Sequence, residues 1–170
     1  HIDIKKENIH IPKGNLRESE IQKHCIQYEK KIETAGGIDL QLLGIGRNGH
    51  IGFNEPGSLE SSITRKVTIN NKTRVDASQE FGGIENVPKK AISMGINTIL
   101  NAKKIILIAW GENKRKVVKK AVEESVNDLI PASFLQNHNN VQFILDNESA
   151  ANLNLSLIHS GRGRRQTTGR

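Results

Sequence analysis

Cysteine is nearly missing from this 170-residue chain, whose single example is Cys25. An intrachain disulfide is therefore impossible, and with nothing that points to an oxidising compartment we expect the cytoplasm. Histidine and cysteine show no spacing typical of a metal site, so we expect no bound metal. Cys25 falls in an amphipathic helical pattern, which favours a buried thiol that packs as a small hydrophobe over a reactive one.

Aromatic residues and long apolar runs are also scarce. Aromatics make up 4% of the chain, too few for the stacking platforms that grip single-stranded nucleic acid. No apolar run approaches the roughly 20 residues that a membrane helix needs. The chain starts at His1-Ile2-Asp3 with neither an initiator Met nor a basic-then-apolar leader. We expect no membrane partner, and a chain that is processed or cut from a longer one.

The positive charge is concentrated at one end. The net charge is +7, and Arg162, Arg164, Arg165 and Arg170 lie in the last nine residues. Without those four arginines the chain has 21 basic and 18 acidic residues, so its body is only mildly basic. The charge thus gives little support for a nucleic-acid partner. We predict a domain over residues 1–152 and a disordered basic tail over residues 153–170.

Helical and extended patterns alternate along the body. Three- and four-residue spacing of Ile21, Cys25, Tyr28 and Ile32 predicts a helix over Glu18–Thr34. Further helices are predicted at 87–91 (a start with Pro in the first turn), 112–125, 131–138 and from 148. Strands are predicted at 38–43, 65–70, 104–110 and 141–146, and a loop at 44–57.

This alternation predicts an α/β domain with a largely parallel sheet flanked by helices. In such sheets ligands bind beyond the carboxyl ends of the strands. The segments Gly44–Glu55 and Gly111–Lys114 both follow predicted strands. Both segments are therefore predicted to lie where such a sheet binds its ligands.

The string Gly44-Ile45-Gly46-Arg47-Asn48-Gly49 matches the dinucleotide-binding pattern G-x-G-x-x-G. That pattern requires a helix at its third glycine, whereas Gly52, Asn54, Pro56 and Gly57 follow here and exclude a long one. The glycines then need another reason, and we expect Gly46 and Gly49 to let the backbone approach a ligand closely.

His50 stands among these glycines, and Glu55 follows five residues later. A carboxylate that folds back to an imidazole can fix its tautomer and raise its basicity, which makes a usable proton-transfer pair. The alternative is an ordinary surface histidine and glutamate in a turn.

The whole string from Gly44 to Gly57, Gly-Ile-Gly-Arg-Asn-Gly-His-Ile-Gly-Phe-Asn-Glu-Pro-Gly, resembles the ring-opening loop of glucosamine-6-phosphate deaminases. Three further stretches resemble the same family in the same order: Val87–Ile96, Trp110–Lys114 and Ile130–Gln136. The resemblance covers residues 1–152 and implies a Rossmann-like fold whose N-terminal part is absent here.

The resemblance implies conversion of glucosamine 6-phosphate to fructose 6-phosphate and ammonia, without a cofactor. His50 would be the acid/base at the ring oxygen, Glu55 would orient it, and Asn48 would belong to the same relay. Lys114 would bind the phosphate, and the first turn of its predicted helix suits an anion. The alternative for Lys114 is a solvated face with its basic neighbours. The family also implies a homo-oligomer.

Three features depart from the family pattern. Asn48 stands where some members have an aspartate, so it carries no charge to stabilise an imidazolium. The family's phosphate-binding loop and the carboxylate that removes the C2 proton lie upstream of the position of His1. A phosphate-binding arginine found in some members has no counterpart near Ser78-Gln79-Glu80. The chain alone is therefore expected to be inactive; if it is active, Asp76 or another of its carboxylates must serve as the C2 base.

Two other functions stay open. One is a 6-phosphogluconolactonase-like hydrolase, against which Phe53-Asn54-Glu55-Pro56 argues because the lactonase loop lacks that glutamate. The other is a non-catalytic sugar-phosphate sensor, which Asn48 and the missing upstream carboxylate favour slightly.

Overall fold

In the computed structural model, which describes residues 3–154, helices and strands alternate. The strands are β1 (Gln41–Gly44), β2 (Arg65–Thr68), β3 (Lys90–Ser93), β4 (Ile105–Ala109) and β5 (Val141–Leu145). The α-helices are α1 (Glu18–Thr34), α2 (Asn71–Ala77), α3 (Ile96–Leu100), α4 (Arg115–Glu123) and α5 (Asn147–Ala150). Short 3-10 helices cover Lys6–Asn8, Ile84–Asn86, Glu112–Lys114 and Pro131–Asn137.

A parallel sheet in the order β1-β4-β5 forms the centre of the fold. Strand β4 lies in the middle, and its five apolar residues are buried on one face and half-buried on the other, as is typical of a central parallel strand. Its register pairs Gln41 with Ile105, and Ile105 in turn with Val141. The predicted α/β class with a parallel sheet flanked by helices is confirmed.

The core lies between this sheet and helix α4. Ile105 and Leu107 of β4 are fully buried at 0% exposure. Val117, Val118, Ala121 and Val122 recur at helical spacing on α4 and are buried in the same cluster. Burying a side chain such as Leu107 contributes about 1.5–3 kcal/mol. This packing fixes the ends of β1 and β4, which carry the candidate site.

A second sheet pairs β2 with β3 in antiparallel fashion, and it corrects one prediction. The segment 87–91 was expected to start a helix, yet Lys90–Ser93 is a strand. Val87 precedes a proline, which biases it to the extended form that it adopts here. Pairing with β2 then outweighs the weak preference of Lys89-Lys90-Ala91 for a helix.

Other predicted elements hold with shifted ends. The first helix is confirmed over Glu18–Thr34, and Cys25 in it is buried at 5% exposure, with burial raising the pKa of its thiol. The strand predicted at 38–43 was expected to be buried, but it begins at Gln41 and leaves Leu42 58% exposed. Strand β1 is at the edge of the described sheet and has β4 as its one neighbouring strand there. Leu42 is therefore flanked by strand residues on one side only.

Two observations concern the rest of the chain. In residues 3–154 no helix has both the length and the apolar character to cross a membrane. The tail predicted over residues 153–170 falls, beyond Asn154, outside the described residues.

Candidate active site

The candidate site lies where β1 and β4 end side by side. The two strands are parallel and in register, with Gly44 opposite Ile108, so both following loops emerge at the same edge. The loop after β1 carries His50, and the turn after β4 carries Lys114. The Lys114 Nζ donates a hydrogen bond of 2.7 Å to the carbonyl of Ile45, which links the two loops.

Gly46 shapes the loop by leaving room for an imidazole. The Gly46 N–H donates to the carbonyl of His50 at 2.9 Å, which closes the turn. A Cβ added at Gly46 would stand 2.1–2.5 Å from three atoms of the His50 ring. Only a residue without a side chain is therefore compatible with the ring in this place.

Gly49 provides the left-handed backbone conformation that the turn requires. Its φ is +89°, a left-handed conformation that favours glycine. Its carbonyl accepts a hydrogen bond of 2.9 Å from the Ala132 N–H, and an added Cβ would meet Ile130 at 3.0 Å. The turn is thus anchored on the 3-10 helix that follows Ile130. The prediction that Gly46 and Gly49 contact a ligand stays a prediction.

A hydrogen-bonded chain joins His50, Asn48 and Glu55. The His50 Nδ1–H donates to the Asn48 Oδ1 at 2.7 Å, and the Asn48 Nδ2 donates to the Glu55 Oε2 at 2.6 Å. The direct distance from His50 Nδ1 to Glu55 Oε2 is 3.6 Å. The carboxylate therefore orients the imidazole through the amide, and the protonated Nδ1 leaves the Nε2 lone pair free as a base.

Helix α2 supplies further donors to the same carboxylate. The Thr73 hydroxyl donates to the Glu55 Oε1 at 2.7 Å and lies 3.4 Å from the His50 Nδ1. The Asn70 N–H, at the N-cap of α2, donates to the same Oε1 at 3.1 Å. Sequence reasoning missed Thr73, because no local spacing relates it to Glu55, eighteen residues away.

Asn54 is a second residue that sequence reasoning missed. It is fully buried, and its amide donates to the carbonyls of Ile51 (3.0 Å) and Met94 (2.9 Å). Its Oδ1 accepts a hydrogen bond of 2.8 Å from Arg65. Asn54 therefore fixes the backbone just before Glu55 to Arg65 of β2 and to Met94, which directly follows β3.

Burial governs the charge of His50. The side chains of His50 and Glu55 are 16% and 12% exposed. Burial lowers the pKa of His50, and the positive charge of Lys114 lowers it further, while the charges of Glu55 and Asp76 oppose this. The charge of Glu55 thus acts in the predicted direction and favours the imidazolium, but desolvation of the imidazolium outweighs this attraction. His50 is accordingly neutral at pH 7.

Lys114 is a half-buried cation with few partners. Burial lowers its pKa and the nearby guanidinium of Arg47 lowers it further, while Asp76 opposes the shift. Arg47 Nε donates to Asp76 Oδ2 at 2.8 Å, and this ion pair is the main cause of the lowered pKa of Asp76. An anion placed at the Lys114 ammonium would relieve the cost of its burial.

The structure brings His50, Asn48, Glu55 and Lys114 together at one edge of the sheet, with Gly46 and Gly49 shaping the loop between them. In the described part of the chain, no group of three His, Cys, Asp or Glu side chains is arranged to hold a metal ion. The arrangement offers a neutral imidazole base beside the Lys114 ammonium, which suits proton transfer on an anionic ligand.

Comparison with known proteins links these residues to a family. The family described as glucosamine-6-phosphate isomerases/6-phosphogluconolactonase matches residues 1–144. A glucosamine-6-phosphate deaminase of Clostridium botulinum (strain Loch Maree) is 52% identical over 155 residues, which is 91% of this chain and 63% of that protein. A deaminase-like protein of Bacteroides thetaiotaomicron is 50% identical over 90% of this chain and 23% of its own length.

Solved structures agree with this assignment. A structure described as a monomeric glucosamine-6-phosphate deaminase is 44% identical, with a TM-score of 0.86 over 90% of this chain and 63% of the other. The 6-phosphogluconolactonase of Trypanosoma cruzi is 29% identical, with a TM-score of 0.56 over 77% of this chain and 51% of the other. The chain thus spans less than two thirds of the length of these relatives.

Proposed function

The chain belongs to the glucosamine-6-phosphate isomerase/6-phosphogluconolactonase family, and we propose that the protein converts glucosamine 6-phosphate to fructose 6-phosphate and ammonia. The observation that carries the proposal is the hydrogen-bonded chain from Glu55 through Asn48 to His50. Relatives at 52% and 44% identity that are described as glucosamine-6-phosphate deaminases support it.

His50 carries out ring opening in this proposal. The free Nε2 accepts the proton of the C1 hydroxyl and delivers it to the ring oxygen as the bond between C1 and that oxygen breaks. The imidazolium that forms in between keeps its Nδ1–H on Asn48, whose amide remains on Glu55. A neutral histidine at pH 7 is the form that this step needs, and burial supplies it.

Lys114 holds the phosphate of the substrate in the proposal. Its ammonium donates to one backbone carbonyl, and the remaining donors can reach a ligand. A phosphate dianion would supply the opposite charge that this half-buried group lacks and would strengthen its hydrogen bonds. The 3-10 turn of Glu112–Lys114, which opens helix α4, adds backbone N–H groups at the same place.

A lactonase is the weaker alternative. Its solved relative is less similar, at 29% identity and a TM-score of 0.56 against 44% and 0.86 for the deaminase. The Glu55 carboxylate, which the resemblance ties to deaminases, is bonded into the relay rather than exposed. A non-catalytic sugar-phosphate sensor is the third candidate, and the uncharged Asn48 favours it.

We further propose a cytoplasmic homo-oligomer that needs no cofactor and binds no nucleic acid. The single cysteine supports the compartment. One structural relative is described as monomeric, so the oligomeric state has to be tested independently of the activity. Sedimentation velocity on the protein answers it directly.

The test of function measures ammonia and fructose 6-phosphate released from glucosamine 6-phosphate. The chain as it stands is compared with a hybrid that adds the part of the Clostridium botulinum deaminase that the match leaves out. We expect equimolar products from the hybrid, and a loss of 10²- to 10⁴-fold with His50→Gln. Hydrolysis of 6-phosphogluconolactone instead would establish the lactonase, and binding without turnover in a folded hybrid would establish the sensor.

A further inference from the structure

Helix α2 has little packing to hold it in place. It comprises seven residues, Asn71–Ala77, none of which is buried. Helices this short are unstable in isolation and depend on tertiary contacts. Its position over the site is therefore set by polar attachments at particular side chains.

These attachments join α2 to two different segments. On one side, the Arg74 guanidinium donates to the carbonyls of Ile84 (2.7 Å) and Val87 (3.2 Å). On the other side, two side chains reach the glycine loop after β1. Thr73 donates to Glu55, and Asp76 pairs with Arg47 through the 2.8 Å hydrogen bond of its Nε and a second bond from its terminal nitrogen.

We propose that Arg47 and Asp76 form a positioning pair that holds α2 against the glycine loop, so that Thr73 keeps its hydrogen bond to Glu55. Asp76 follows Thr73 by three residues, which places both on one face of the helix. On the loop, Arg47 directly precedes Asn48, which is bonded to Glu55. The ion pair and the Thr73–Glu55 bond are thus two neighbouring links between the same two segments.

The competing role for Arg47 is to bind the phosphate beside Lys114. The guanidinium lies close enough to lower the pKa of Lys114. However, the Nε and one terminal nitrogen of Arg47 each donate to a different oxygen of the Asp76 carboxylate, and this two-bond pairing already occupies those donors. The side chains of Arg47 and Asp76 are 42% and 33% exposed, so the pair is accessible to substitution without opening the core.

The first test needs no activity and uses the chain as it stands. Amide hydrogen exchange of residues 71–77 is compared among the unmodified chain, Arg47→Ala, Asp76→Asn and the double swap Arg47→Asp/Asp76→Arg. We expect about three- to fivefold faster exchange in the single variants, the effect of losing one partly exposed pair, and recovery in the swap. Lys103→Ala, which breaks the exposed Lys103–Asp39 pair elsewhere, is the matched control and should leave this exchange unchanged.

The second test rests on the proposed function. It uses the ammonia assay on whichever of the two forms described above, the chain as it stands or the hybrid, releases ammonia. We expect kcat to fall in both single variants, with KM for glucosamine 6-phosphate nearly constant, and the swap to restore kcat. Unchanged exchange in the single variants, or no recovery in the swap, overturns the proposal. A rise in KM alone with Arg47→Ala also overturns it and assigns Arg47 to the phosphate. Failure of the proposed function would show as no ammonia from any form, while the exchange data still decide the positioning role.

Discussion

Gly46→Ala tests the packing of the loop against the imidazole. The added methyl would lie 2.1 Å from Cε1, 2.2 Å from Nδ1 and 2.5 Å from Nε2 of His50. Gly46 does not have a positive φ, so alanine fits the backbone without strain. The substitution therefore acts on the ring position alone.

The expected loss follows from the distance that the ring must move. Ordinary van der Waals contact begins near 3.4 Å, so the ring has to shift by about 1 Å. That shift breaks the hydrogen bond from Nδ1 to Asn48, which costs about 1 kcal/mol of stability. A misplacement of about 1 Å at a reacting group lowers kcat by about 10²-fold.

The assay compares kcat for ammonia release and the thermal midpoint with those of Gly44→Ala. Gly44 ends β1 in the same loop, and a Cβ added there meets nothing within 4 Å. We expect Gly44→Ala to retain nearly full activity. If Gly46→Ala also keeps unmodified kcat, with the His50 Nδ1 proton still bonded to Asn48 by NMR, the reasoning about this loop is refuted.

Four further predictions follow from the site. Asn48→Asp places a carboxylate 2.7 Å from the imidazole Nδ1 and should raise the pKa of His50, so its NMR titration midpoint moves to higher pH; a downward move contradicts this. Lys114→Met should raise KM about 10- to 100-fold for the sugar phosphate by removing a charged hydrogen bond, whereas an unchanged KM would remove Lys114 from the phosphate site. Asn54→Ala should lower the free energy of unfolding, measured in urea, by about 2–4 kcal/mol because it leaves buried hydrogen-bond partners unsatisfied. The control Asn101→Ala, at an exposed asparagine, should lower it by less than about 0.5 kcal/mol. Because the folded pKa of His50 lies below its ordinary 6.5, the unfolded chain binds that proton first, so stability should fall as pH drops from 6.5 towards the folded pKa; His50→Gln should flatten that limb.

The fold could be predicted where periodicity was strong and local. Helix Glu18–Thr34 and the strand at Ile105–Ala109 follow directly from apolar spacing. The strand Lys90–Ser93 could not, because it depends on pairing with Arg65–Thr68, which lies more than twenty residues earlier. The exposure of Leu42 likewise depends on which strands flank β1, a property that no local pattern carries.

In the site, too, the residues that are close in sequence could be predicted, whereas the contacts between distant segments could not. His50, Asn48 and Glu55 lie within one loop, so a contiguous string of residues could point to them. Their route of contact through the Asn48 amide, rather than directly from Glu55 to His50, required coordinates. Thr73 and Asp76 reach the loop from α2, and only the three-dimensional position of that helix beside the loop brings them there.

The central claim is that this chain holds the apparatus for ring opening, and anomer exchange of glucosamine 6-phosphate tests it most directly. Interconversion of the α and β anomers requires only opening and closing of the ring, so no base at C2 is needed. Magnetisation-transfer NMR on the chain as it stands should show exchange accelerated about 10²-fold or more over buffer, with the acceleration lost in His50→Gln. No acceleration at substrate concentrations that saturate binding would contradict the assignment of ring opening to His50.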